Sequence, residues 1–293
     1  MKKLMLSNSF NKVRNDVLQT VRGIEGFLTD REVRFLFLLG ACPTAEGEVL
    51  EIGSFKGKST IVLTKAVLYS GFNKIIAVDP LTSPSITDPD LKGAASAFND
   101  FHKNLKKVGI LNNVEFYQMF SHELAKDWNR KIRLLWIDGD HTCAGAKKDF
   151  EMFSKFLSDG AIVAFHDVLG CDGPLKVFMD DILLSNRFGP TGLCGTIGWA
   201  QYIVDNKKIT KRFSLKKLRL YLSLKLLWLF DFSISSSGRN NFSLFKDVSG
   251  GKWRSLKKLN HNIWRSIVPH REISPKKWLN EIMQLKRDTF PTQ

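Results

Sequence analysis

VLEIGSFKGKST, residues 49–60, is the stretch whose reading decides the fold. Its first four residues are apolar around a single acid, Glu51, as a buried strand requires. Gly53 and Gly57 then permit a tight turn and a close backbone approach to a ligand. Over 59–69 the pattern becomes helical. Strand, glycine turn and helix, in that order, open a β–α–β unit. The turn reads GxxxG. It therefore lacks the GxGxxG of a dinucleotide site, and no phosphate-binding Gly-Lys-Ser/Thr stands in register. Glu51 is placed to accept from an ammonium group. A plain strand-to-helix turn is the alternative, because one glycine-rich turn is weak evidence.

Outward from that unit the alternation repeats. The first strand is expected over 49–53. Runs at 74–79, 114–117, 132–138 and 161–166 read as further strands. Stretches 59–69, 91–108, 143–157 and 175–184 read as helices. Near-continuous apolar strands separated by helices predict a parallel sheet covered on both faces. Right-handed crossovers make it a doubly wound α/β sheet. One more strand, or a pair, is expected within 192–204.

Before the sheet, 1–40 reads as a helical segment, with REVRFLFLL (residues 31–39) apolar enough to pack on a domain face. After it the composition changes. Of 44 Lys/Arg and 29 Asp/Glu, residues 207–293 hold 20 and 5, so the net charge of +15 sits in this last part. The organisation read from this is an N-terminal helical segment (1–40), an α/β domain (41–206) and a basic, mainly helical extension (207–293). SISSSGRNN (233–241) and SGG (249–251) look like flexible points, and Trp253, Trp264 and Trp278 follow. The first residues are basic without an apolar core, so no signal peptide is expected. No run is apolar and long enough for a transmembrane helix. Four scattered cysteines without metal-ligand spacing read as reduced thiols of a cytoplasmic protein.

In an open parallel sheet, ligands bind beyond the carboxyl ends of the strands. Asp79 closes the second strand, 26 positions past Gly53, where an acid can hold ribose hydroxyls. LLWIDGDH delivers Asp138, Asp140 and His141 to the end of the fourth strand, and AIVAFHD delivers His166 and Asp167 to the fifth. Two neighbouring strand ends carrying Asp and His suit a hard cation or acid–base chemistry. Turn capping by the same residues is the simpler alternative.

Together VLEIGSFKGKST, IIAVDP, LLWIDGDHTCAGAKKDFEMF and DGAIVAFHDV resemble the class I S-adenosylmethionine (SAM)-dependent methyltransferases. More closely, they resemble the family that includes macrolide-sugar O-methyltransferases and cephalosporin-hydroxylase-like proteins. The likeness covers roughly residues 45–205. It implies a Rossmann-like, seven-stranded methyltransferase sheet with one antiparallel strand near the edge. It implies SAM as cofactor, with Glu51, Gly53, Ser54 and Gly57 along the methionine end and Ser59 opening the helix below. Asp79 would hold the ribose, Phe120, Ser121 and Glu123 the adenine, and Asp138 would border the cofactor. Asp138 and Asp167 match metal-ligand positions of the Mg²⁺-dependent members, and His141 matches their general base, with His166 the rival. Those enzymes place an acidic pair where this chain has His166-Asp167, and Mg²⁺ prefers oxygen ligands.

These readings give a methyltransferase acting on a hydroxyl of a small molecule, sugar or glycoconjugate. A nicotinamide-linked oxidoreductase on the same sheet is the rival enzyme, disfavoured by the GxxxG turn. A nucleic-acid-associated methyltransferase or binder is the other, disfavoured by the formally neutral α/β part. In the extension, Leu215, Leu218, Leu222, Leu226 and Leu229 recur at helical spacing among Lys216, Lys217, Arg219 and Lys225. A basic, leucine-rich helix of this kind suits the inner face of a membrane or a lipid-linked glycan. Packing on the domain, or on a second copy in a homo-oligomer, is the plainer reading.

Overall fold

The computed structural model describes residues 8–82, 97–205, 209 and 211–235. Strands β1 (Glu48–Ile52), β2 (Ile75–Val78), β3 (Val114–Tyr117), β4 (Ile132–Ile137), β5 (Leu157–Phe165), β6 (Phe188–Cys194) and β7 (Ile197–Tyr202) form one sheet. Their order is β3-β2-β1-β4-β5-β7-β6. The first five are parallel, and β7 runs antiparallel between β5 and β6. This is the Rossmann-like methyltransferase sheet. Its order reverses between β1 and β4, so the carboxyl ends of those two strands flank the crevice where such sheets bind ligands.

Among the described residues eight α-helices flank it: α1 (Asn8–Arg22), α2 (Asp30–Ala41), α3 (Lys58–Tyr69), α4 (Phe98–Val108), α5 (Ser121–Asp127), α6 (Cys143–Ser154), α7 (Asp172–Val177) and α8 (Lys211–Ser235). Alternate strand residues face opposite ways. Val49, Leu134, Trp136 and Ile162 therefore join Phe10, Phe37 and Phe101 on one face. Leu50, Leu135, Val163 and Phe165 join Phe150, Phe178 and Leu224 on the other. Both faces being buried explains why β1, β2 and β4 read as continuous apolar runs.

Several expected boundaries move. The N-terminal helical segment is two helices. Gly23 and Gly26 fall between them, and Thr29 starts α2 through a reciprocal capping box with Glu32. Buried Glu32 also accepts from the backbone N–H and hydroxyl of Thr196, at 2.6 and 2.9 Å, tying α2 to the β6–β7 turn. The helix expected over 143–157 stops at Ser154, and β5 starts at Leu157. The helix expected over 175–184 is α7 followed by a π-helical turn, Phe178–Leu183. Part of the helix expected at 91–108, most of the 233–241 linker, the 249–251 point and the three tail tryptophans lie outside the described residues.

Candidate active site

The turn after β1 is built around close backbone contacts. Gly53 has φ +86°, and a Cβ there would stand 2.1 Å from the Asp138 carbonyl oxygen, so no other residue fits. The Asp138 N–H in turn donates to Ile52 O at 2.8 Å, locking the ends of β1 and β4 together. Gly57 also has positive φ, and a Cβ there would press on Leu105. Beneath the turn Glu51 is wholly buried. Its Oε2 accepts from Thr60 Oγ1 at 2.6 Å and Ser54 Oγ at 3.2 Å, and Ser59 contributes a third hydroxyl. Burial pushes the Glu51 carboxyl up to about 8, against the pull of those hydroxyls. Its Oε1 is buried with no partner. A buried carboxyl oxygen with nothing to accept from fits an incoming cationic group, because an unmet acceptor of this kind costs about 1–3 kcal/mol.

Asp79 ends β2 and reaches back to this turn. Its Oδ2 accepts from the N–H groups of Ser54 (2.6 Å) and Phe55 (2.9 Å), and its Oδ1 from Leu81 (2.7 Å). Burial pushes its carboxyl above the usual range, and the three amides oppose that. Oδ2 has both lone pairs engaged, but Oδ1 keeps one, so the same group can also receive a ligand hydroxyl there. Among the described residues three non-glycines take positive φ: Phe55 (46°), Leu81 (49°) and Asp167 (53°). They follow β1, β2 and β5 at the same edge of the sheet, and strain of this kind concentrates at functional sites.

Beyond β4 and β5 the structure gathers Asp138, His141, His166 and Asp167. His166 Nδ1 lies 3.1 Å from Asp138 Oδ1 and 3.3 Å from Asp167 Oδ2. His141 Nε2 lies 3.7 and 3.9 Å from the same two oxygens. His166 is 2% exposed, whereas the His141 side chain is 20% exposed, with its Nε2 buried. Burial works to lower both histidines. For His166 the charges of Asp138 and Asp167 overcome it and hold the ring well above its usual range. For His141 the contacts with Asp138 and Cys171 overcome it, to about 11. The His141 ring is therefore held protonated at pH 7. Burial would raise Asp138, but the two histidines bring it down to about 2.

The remaining predicted residues take simpler places. Phe120 is half exposed, with its ring over His122. Glu123 Oε2 accepts from the Phe120 N–H at 2.8 Å and so caps α5. Ser121 Oγ donates to Asp149 Oδ1. Asp140 turns away from the cluster: its Oδ1 accepts from Thr142 N–H at 2.7 Å, at the start of α6. Two residues escaped the sequence reading. Asp149 sits on the buried side of α6, its carboxyl pushed up by burial to about 6. A lone acid on the apolar side of CAGAKKDFEMFS was its signal. Cys171 brings its sulfur within 4.8 Å of ligand atoms of His141 and Asp167, so the cysteines are not all remote from a ligand set. Its signal was the four-residue step from Asp167, whose carbonyl accepts the Cys171 N–H.

The strand order and the acid-bearing turns at its switch point are those that the resemblance to methyltransferases implies. Residues 50–168 match the family model described as a methyltransferase domain. Among solved structures it is similar to an O-methyltransferase from Bacillus cereus in complex with SAH, the demethylated form of SAM, at 17% identity. That match covers 69% of this chain and 94% of the other, with a TM-score of 0.46. It is also similar to the O-methyltransferase TomG from Streptomyces achromogenes in complex with SAM, at 16% identity over 66% and 90% of the chains (TM-score 0.46). A third, the SAH-bound methyltransferase PaMTH1 from Podospora anserina, shares 13% identity over 65% and 87% (TM-score 0.47).

Proposed function

We propose that the chain transfers a methyl group from SAM to a hydroxyl, on a sugar or glycoconjugate acceptor. The observation that carries the reaction type is the juxtaposition at the switch point. The orphaned Glu51 oxygen and the Asp79-braced turn follow β1 and β2, and His141 follows the neighbouring strand β4 at the same edge of the sheet. The sugar acceptor rests on the sequence resemblance alone, a weak warrant for substrate.

SAM supplies a methyl carbon on a sulfonium, ready for direct displacement. The residues do the rest. Glu51 balances positive charge in the crevice, Asp79 accepts from ribose hydroxyls while holding the turn, and Gly53 lets the backbone come close. Ser121 and Asp149 bound the adenine end with Phe120. His141 takes the hydroxyl proton as the acceptor oxygen forms its bond to the methyl carbon. His166, buried between two carboxylates, positions them and has no route to the acceptor. Mg²⁺ does not suit the donor set, because a buried imidazole stands where an oxygen ligand is wanted, and no step is assigned to it. The test is methyl transfer from labelled SAM to a panel of glycans. Transfer that His141→Ala reduces about 10²–10⁴-fold is expected. No transfer to any hydroxyl acceptor, with transfer to amines or thiols instead, would overturn the reaction type.

A second reading concerns α8. Leu220 and Leu224 bury against the domain, and Lys217 Nζ donates to the Ser185 carbonyl. Leu215, Leu218, Leu222 and Leu226 therefore point outward, each about half exposed, beside exposed Lys216, Arg219 and Lys225. We propose that this face lies on an anionic bilayer surface. An apolar stripe edged by cations is what such an interface takes. Among the described residues no helix is long and apolar enough to cross a membrane.

A further inference from the structure

We infer that the connection between α1 and α2, residues 23–29, walls the acceptor side of the active site, and that Phe27 and Phe55 form an aromatic platform there for the apolar face of a sugar ring. The inference rests on the proposed methyl transfer. The connection is moored at both ends to this edge of the sheet. At one end it is fixed to the turn after β1: Lys56 pairs with Glu25 at 2.7 Å, and Lys58 Nζ donates to the Gly26 carbonyl at 3.0 Å. At the other, Thr29 caps α2, and Glu32 holds the β6–β7 turn through Thr196. Strands β4 and β5 lie between β1 and β7. The connection therefore runs along the edge past the strand ends that carry Asp138, His141 and His166. It lies on the His166 side of the sheet: Trp136, whose ring is 5.7 Å from that of His166, packs in one cluster with Phe35 and Phe37 of α2.

Along this wall Leu28 is buried, whereas Phe27 is 60% exposed. A single exposed apolar residue is ordinary and needs no explanation. Phe27 differs because it is paired and braced. Its ring stacks on that of Phe55, with centroids 6.2 Å apart and planes 27° from parallel. Phe55 belongs to the turn after β1, where its N–H donates to Asp79 and its backbone keeps φ 46°. That conformation is costly for a bulky residue, and the surrounding structure must maintain it. Lys56 braces the pair further, with Nζ 5.4 Å from the Phe55 ring centroid and 3.1 Å from Asp100 on α4. The result is a fixed, open aromatic face beside the turn proposed to hold the cofactor. The face of such a ring is electron-rich. It suits the C–H-lined face of a sugar, whose hydroxyls point outward around the rim. The plainer alternative is that Phe27 only shields Phe55, in which case its loss would leave acceptor binding untouched.

Methyl transfer from labelled SAM to the glycan panel is followed against acceptor concentration in the full chain and in its Phe27→Ala and Phe27→Trp variants. Both variants should fold, because the site is exposed. Phe27→Ala should raise the acceptor KM about 3- to 10-fold, with kcat and SAM affinity unchanged, and Phe27→Trp should keep KM within about twofold of wild type. A second readout needs no turnover. Saturation-transfer NMR of the SAH-loaded chain with methyl β-glucoside should show transfer to the sugar ring protons, cut at least about threefold by Phe27→Ala. Transfer of methyl with a KM indifferent to Phe27→Ala overturns the platform and leaves the reaction standing. A loss of SAM affinity in Phe27→Ala that accounts for the loss of activity also overturns it, because Phe27 would then cover the cofactor. No methyl transfer, with a saturation signal that Phe27→Ala removes, keeps the platform and removes the reaction. Absence of both removes both.

Discussion

Asp79 ties the turns after β1 and β2 together through a single carboxylate. Its three backbone partners lie in those turns, so removing it loosens them and, on the proposed function, deletes a contact to the cofactor. Asp79→Ala should weaken SAM binding by about 1–3 kcal/mol, roughly 5- to 150-fold in Kd. Calorimetry checks this, and unchanged affinity would remove Asp79 from the site. For His141 the pH dependence follows from its contacts. A base must be neutral, and Asp138 and Cys171 hold this ring protonated up to about 11. In metal-free enzyme, kcat/KM should therefore keep rising between pH 7 and 10. A plateau above pH 7 would show an ordinary histidine. Stability runs the other way. His141 has a raised pKa in the folded chain, so its contribution is full below its ordinary 6.5 and is lost as pH rises through about 11. Asp138 is lowered, so its contribution is full above its ordinary 3.8 and is lost as pH falls through about 2. Urea midpoints of wild type and His141→Gln should accordingly differ most near pH 4–6 and converge towards pH 11.

At the scale of elements, α2 and α8 carry the clearest expectations. Glu32 serves the α2 cap and the β6–β7 turn together, and it is 2% exposed. Glu32→Ala leaves the Thr196 N–H without its acceptor and should cost about 2–3 kcal/mol in chemical unfolding. For α8 the two faces separate. Leu224→Ala, on the buried face, should cost about 2–5 kcal/mol. Leu218→Glu with Leu222→Glu should change stability by no more than about 0.5 kcal/mol per site yet abolish cosedimentation with phosphatidylglycerol vesicles. If the double variant still sediments, the outward leucines are not the membrane face; if it unfolds, they pack on protein.

Across the whole molecule, what could be read in advance follows from burial. Strands β1 to β5 were legible because a parallel sheet buried on both faces leaves continuous apolar runs. The ligand-bearing turns were legible because they sit where those runs end. Directions of side chains were not. Asp138 and Asp140 are two residues apart in one turn, yet one enters the cluster and the other caps α6. His166 and Asp167 are adjacent, but only the coordinates show that the imidazole is buried and both carboxylates face it. The α8 stripe was visible as a period, but the helix packs through Leu220 and Leu224 and leaves Leu215, Leu218, Leu222 and Leu226 outside. The His141 pKa could not be foreseen, since besides Asp138 in its own turn it depends on Cys171, which the fold brings up from the segment after β5.

The claim on which all of this rests is that the crevice between β1 and β4 is a SAM site. Isothermal titration of the wild-type chain with SAM, and separately with NADH, tests it most directly. The account predicts saturable binding of one SAM per chain, weakened in both Asp79→Ala and Glu51→Gln, with no heat from NADH. No SAM binding by the wild type, or the same affinity in both variants, would contradict it.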